Sequence, residues 1–191
     1  MRSIRLPAAI LLGVSLASSL TVLPRTFRWS QQESQQHPPA QIPELHKLDA
    51  WSGRWTSQGK LYDTPYSHAG SITITMTCAW SAYNGYMICD HLFNGPAGMR
   101  NDLTVYTYNP VDKSYKFYSV DQSGAPRRVP LTIAGDIWTY NNDMEKDGKK
   151  ILIRTANDFS KPGIVTWNTK FSDDAGAHWT LMNEGVDTKV R

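Results

Sequence analysis

Between residues 71 and 80 apolar and polar side chains alternate almost without a break. Ile72, Ile74, Met76, Cys78 and Trp80 fall on one face, and Thr73, Thr75, Thr77 and Ala79 on the other. A period of two marks a half-buried strand, because successive side chains of an extended chain point to opposite faces. Asn84-Gly85 follows, a two-residue hairpin signal whose members both tolerate positive φ, and 86–93 returns from it. The same reading gives strands at 54–62, 102–108, 114–121, 129–134, 137–141, 150–156, 165–172 and 179–184. Turn signals stand between them: Asn94-Gly95-Pro96-Ala97-Gly98, Asn109-Pro110, Ser123-Gly124-Ala125-Pro126, Gly135-Asp136, Asp147-Gly148 and Lys161-Pro162-Gly163.

One segment departs from this rhythm. Leu45, Leu48 and Trp51 recur every three residues behind Pro43 and Glu44, which predicts a short capping helix ended by Gly53. About ten sequential strands joined by tight turns predict an all-β fold. Its form is a closed or nearly closed antiparallel up-and-down barrel, with room for one small ligand. A Greek-key sandwich is the alternative that turn spacing leaves open.

The first residues read as an address. Arg2 and Arg5 precede the apolar run LPAAILLGV, and Ser15-Leu16-Ala17 offers small residues for a signal peptidase. The expectation is a cleaved signal peptide over 1–17; an uncleaved anchor reaching Leu23 is the alternative. No cysteine follows the run, which excludes a lipoprotein anchor there. Residues 18–41, rich in Gln and Pro, cannot bury enough apolar surface to fold and read as a disordered tether. The barrel domain is then 42–191. The location implied is extracytoplasmic, periplasmic or secreted, with membrane contact only if the anchor stays.

Composition narrows the partners. Two of the 20 basic residues lie in the leader, so the net charge of +3 falls to +1 beyond it. That lacks the basic footprint of a nucleic-acid binder. The two cysteines, Cys78 and Cys89, flank the Asn84-Gly85 turn. A two-residue loop would set Trp80 opposite Cys89 and Cys78 diagonal to it, near the limit a disulfide spans. Outside the cytoplasm such a pair is expected to be oxidised. Metal binding through Cys78, Cys89 and His91 is the sharper alternative, but one hairpin supplies all three ligands.

Several short patterns together carry a family resemblance: Leu48-(x)4-Gly53-x-Trp55, Cys78-x-Trp80, Gly85-(x)3-Cys89, Tyr108-Asn109-Pro110, Lys113-x-Tyr115, Asp121-x-Ser123-Gly124 and Ser172-Asp173-Asp174-x-Gly176. Over residues 45–191 the chain resembles a bacterial family of exported lipocalin-like (calycin) barrels, a domain to which no general activity is assigned. The resemblance implies an antiparallel barrel with an internal cavity and no particular reaction.

Candidate chemistry is thin. Ser172-x-Asp174-x-Gly176-x-x-Trp179 matches the Asp-box of sialidase propellers, but a single copy reads as a turn device. No Gly-x-Ser-x-Gly elbow, His-Glu-x-x-His helix or phosphate loop occurs. His91, beside Asp90 in mid-strand, could ligate haem, yet nothing in the sequence supplies the surrounding pattern, and no cofactor is expected. Asp90, Asp121 and Glu184 could pair across a barrel as acid and base.

The aromatic residues are the stronger signal. Trp55, Trp80, Tyr106, Tyr118, Trp138 and Trp167 are expected to line a pocket for an apolar or aromatic molecule. Arg154, if inward, would orient a ligand anion. The leading expectation is a small-molecule binder without chemistry. The alternatives are an interaction module of the cell envelope and a small isomerase or hydrolase using the same cavity.

Overall fold

The computed structural model describes residues 41–190; the expected signal segment and all but the last residue of the expected tether lie outside them. Ten strands follow one helix: β1 (Gly53–Leu61), β2 (Gly70–Trp80), β3 (Met87–Gly95), β4 (Gly98–Asn109), β5 (Ser114–Val120), β6 (Pro126–Ala134), β7 (Ile137–Lys146), β8 (Lys149–Lys161), β9 (Ile164–Ser172) and β10 (Thr180–Lys189). Each pairs antiparallel with its neighbours in sequence, and β10 pairs with β1 to close the barrel. Closure removes every free sheet edge and rules out the sandwich.

The capping helix is a 3-10 helix, Pro43–Trp51. Its apolar spacing of three explains this, since a 3-10 helix has three residues per turn and stacks Leu45, Leu48 and Trp51 on one side. All three are buried against the end of the barrel where β1 begins, the base. There Trp51 meets Trp55, Trp138 and Phe159 edge-on, with ring centroids 5.5, 6.4 and 4.8 Å away. Burying an apolar side chain of this kind contributes about 1.5–3 kcal/mol, so the helix works as a plug.

At the opposite end the connection after β1 folds over one side of the mouth. Tyr66 stacks edge-on to Phe171 at 4.8 Å and donates to Asp173 at 3.1 Å. It roofs a small second cluster of Ile151, Phe171 and Met182. The rim at the β3–β4 and β5–β6 connections carries Arg100, Asp102, Asp121 and Arg127.

The β2–β3 hairpin corrects the expected register. Its turn spans 81–86, closed by the Ser81 amide on the Tyr86 carbonyl at 2.9 Å, with Asn84 alone at positive φ. Trp80 therefore faces Met87, and Cys78 stands directly opposite Cys89 with 4.1 Å between Cα atoms. The two are joined as a disulfide, which leaves no thiolate for a metal.

The Asp-box segment is a turn brace between β9 and β10. Ser172 Oγ donates to Asp174 at 2.7 Å and accepts from the Gly176 amide at 2.8 Å, while the His178 amide donates to Asp174 at 3.0 Å. Gly176 takes φ +96, and Trp179 Nε1 donates to its carbonyl. Ser172 is fully buried, so Ser172→Ala removes two bonds at once. It is expected to cost about 1–2 kcal/mol in urea denaturation, with no change in far-UV dichroism.

Candidate functional site

The inward faces of the strands enclose a cavity of about 320 Å³ between the helix plug and the mouth. Its walls are mostly apolar and aromatic, including Ile72, Ile74, Met76, Phe93, Phe117 and Ile153. Of the aromatic residues singled out by the sequence, Trp55, Tyr106 and Trp167 line it. Trp80 and Trp138 belong to the packing beneath, where Trp80 Nε1 donates to Asp49 at 2.8 Å. Tyr118 is corrected to the outer wall, because the inward residues of β5 are its neighbours Phe117 and Ser119.

Arg154 is corrected too. Ile153, Thr155 and Asn157 are the inward residues of β8, so Arg154 points outside. Its guanidinium lies 3.9 Å from the centroid of the Trp179 ring, and Nε donates to Asn141 at 3.2 Å. The arginines at the mouth are Arg100 and Arg127. Arg127 pairs with Asp121 at 3.2 Å, while Arg100 covers Phe93 and lies 3.9 Å from Asp102. Asp90 and Glu184 face away from the cavity, with Asn101 and Tyr62 as their partners. Asp121 sits on the rim.

Two titratable groups occupy the cavity wall. His91 on β3 shares a 3.0 Å hydrogen bond with Thr104 and stacks on Phe93; burial pushes its imidazole down to about 4. Asp187 on β10 was outside the expected strand 179–184. Its carboxylate accepts from Trp167 Nε1 at 2.8 Å, and burial raises it to about 6 against the lowering effect of Ser57 and Trp167. Trp167 Nε1 also lies 3.1 Å from Ser57 Oγ.

Trp167 reaches Asp187 because two glycines clear its path. Gly59 and Gly185 face each other across β1 and β10, and the indole lies over both. A Cβ at Gly59 would sit 2.7 Å from the ring, and one at Gly185 closer still. Nearby, Tyr106 and Tyr140 pair their hydroxyls at 3.3 Å; burial pushes Tyr140 up to about 12 and Tyr106 up as well, so both stay neutral. Asn157 Oδ1 and Trp51 Nε1 are buried in the same region without a hydrogen-bond partner. Sequence reasoning named Trp167 and Tyr106 but missed Ser57, Asn157 and Asp187; the readable signal was Gly59 within the first expected strand and Gly185 just past the last one.

No family model and no curated protein matches the chain. Solved structures do. Rv2717c from M. tuberculosis aligns over 79% of this chain and 99% of its own, with 10% identity and a TM-score of 0.56. The S-type phycobiliprotein lyase CPES from Guillardia theta aligns over 76% and 92%, with 10% identity and a TM-score of 0.52. At that identity the likeness is one of fold: the chain is built as a lipocalin-like barrel of ten strands.

Proposed function

We propose that this protein binds a small, largely apolar molecule inside the barrel and acts outside the cytoplasm. The observation that carries the reading is the cavity of about 320 Å³, open at one end and walled by aromatic rings. That volume falls at the low end of what small-molecule pockets use, roughly 300–1,000 Å³. The N-terminal signal pattern and the Cys78–Cys89 disulfide support an exported setting. The fold shared with a phycobiliprotein lyase agrees with a ligand-holding barrel.

Titration with the fluorescent dye phenylnaphthylamine tests this. The dye is expected to gain intensity on binding, and Ile74→Trp, which fills the wall, should weaken it by about tenfold or more. Tyr118→Ala, on the outer wall, should leave binding unchanged. An unbound dye, or one indifferent to Ile74→Trp, would remove the proposal.

A second reading, an enzyme in the same cavity, draws on Asp187 and His91 as acid and base. They stand three strands apart, about 14 Å along the wall at the usual strand spacing, so each addresses a different part of a bound molecule. That spacing favours binding over joint proton transfer at one atom.

A further inference from the structure

We infer that the base half of the cavity recognises an organic ammonium group carried on an aromatic body, with Asp187 as its counterion. The inference rests on the ligand-binding reading and names the class of ligand. Asp187 is 7% exposed, and its hydrogen-bond donor in the wall, Trp167 Nε1, is neutral. Among the described residues no Lys, Arg or His nitrogen pairs with it. A carboxylate taken out of water and left without a cation is unfavourable unless something else supplies the charge.

The groups around it do not supply that charge. Lys189, two residues along β10, holds its ammonium 5.5 Å from the centroid of the Trp55 ring. From β1 and β9, Ser57 and Trp167 face Asp187 and neither titrates. Tyr106 and Tyr140 across the cavity are neutral, and so is His91 at neutral pH. At the mouth Arg127 is balanced by Asp121, and Arg100 by Asp102. The unmatched charge in the cavity is therefore negative.

A second observation agrees. Asn157, 8% exposed, sets its amide against the Tyr140 hydroxyl and, in that orientation, leaves Oδ1 without a donor. Asn157 is the register partner of Trp167, whose indole reaches on to Asp187. An alkylammonium carries three N–H donors to offer the carboxylate, and an aromatic face such as that of Trp167 attracts a cation. An anionic ligand would meet a like charge. A metal is disfavoured, since no group of three or more His, Cys, Asp or Glu suited to one occurs among the described residues. The unpaired Trp51 N–H is a donor and lies next to the Tyr140 hydroxyl, which can accept from it.

The test is displacement of phenylnaphthylamine from the whole chain by tryptamine and by tryptophol, which replaces the ammonium with a hydroxyl. At roughly pH 8 tryptamine is expected to bind about tenfold tighter or more, as one desolvated charge pair contributes. Asp187→Asn keeps an acceptor for Trp167 and should erase the difference between the two competitors to within about twofold. At roughly pH 5, below the carboxyl's midpoint, most of the wild-type advantage should vanish. Dye binding with equal affinities for tryptamine and tryptophol would overturn the inference and leave the ligand-binding reading standing. An advantage that survives Asp187→Asn would also overturn it. A chain that binds neither dye nor amine would remove both.

Discussion

Replacing Asp187 by asparagine is expected to stabilise the protein at neutral pH, by up to about 3 kcal/mol. Burial raises the carboxyl from 3.8 to about 6, so the folded state holds its proton more tightly than the unfolded chain does. Between those two values folding takes up a proton, and stability falls as pH rises. Above about 6 the full cost is present. Asparagine removes the charge while its amide oxygen still accepts from Trp167.

His91 works in the opposite sense. Its imidazole is pushed from 6.5 down to about 4, so across that interval the unfolded chain binds more protons and stability rises with pH. In the overlap, from about 4 to 6, the two slopes oppose each other. Urea denaturation at several pH values is expected to show a nearly flat wild type there. Asp187→Asn should become steadily more stable as pH rises, and His91→Gln steadily less. An Asp187→Asn protein no more stable than wild type at neutral pH would show that the wall already compensates the carboxylate. A protein that keeps so costly a group in its interior has a use for it, and cation recognition is the use the surroundings fit.

How much of this was legible in the sequence depends on which rule each residue obeys. Strand number and the inward face of β2 were readable because alternation and turn residues are local signals. The helix was readable from Leu45, Leu48 and Trp51, since a spacing of three leaves little freedom. Closure was only favoured by strand count, because turn spacing does not report which strands pair, and it is the β1–β10 pairing that closes the sheet. Arg154 was named as an anion contact only if it points inward, and it does not: on β8 it shares the outer face with Leu152 and Ala156. The 173–179 turn folds back over that part of the wall: Leu152 lies against Gly176, and Trp179 covers Arg154. The hairpin register was missed because Asn84 sits within a six-residue turn and does not form a two-residue loop with Gly85. Asp187 was missed because the expected strand ended at Glu184, one residue before a glycine. That glycine does not end β10; it accommodates a side chain from β9.

Gly185 should consequently tolerate almost no enlargement. Its backbone is not in the left-handed region, so conformation does not demand glycine there; the Trp167 ring and the Gln58 carbonyl do. In Gly185→Leu the indole must leave its niche, losing its burial and its bonds to Asp187 and Ser57. The expected cost is about 3–5 kcal/mol, the range of removing a buried tryptophan. Trp167→Ala forfeits the same contacts, so the double variant should cost less than the sum of the singles by about 2 kcal/mol or more. A comparison site is Gly135, which takes φ +60 with open space around it. There Gly135→Ala should cost only about 1 kcal/mol, through backbone strain alone. Additive costs at 185 and 167 would mean that the ring does not occupy the space cleared by the two glycines, and the route by which β9 reaches the cavity carboxylate would have to be redrawn.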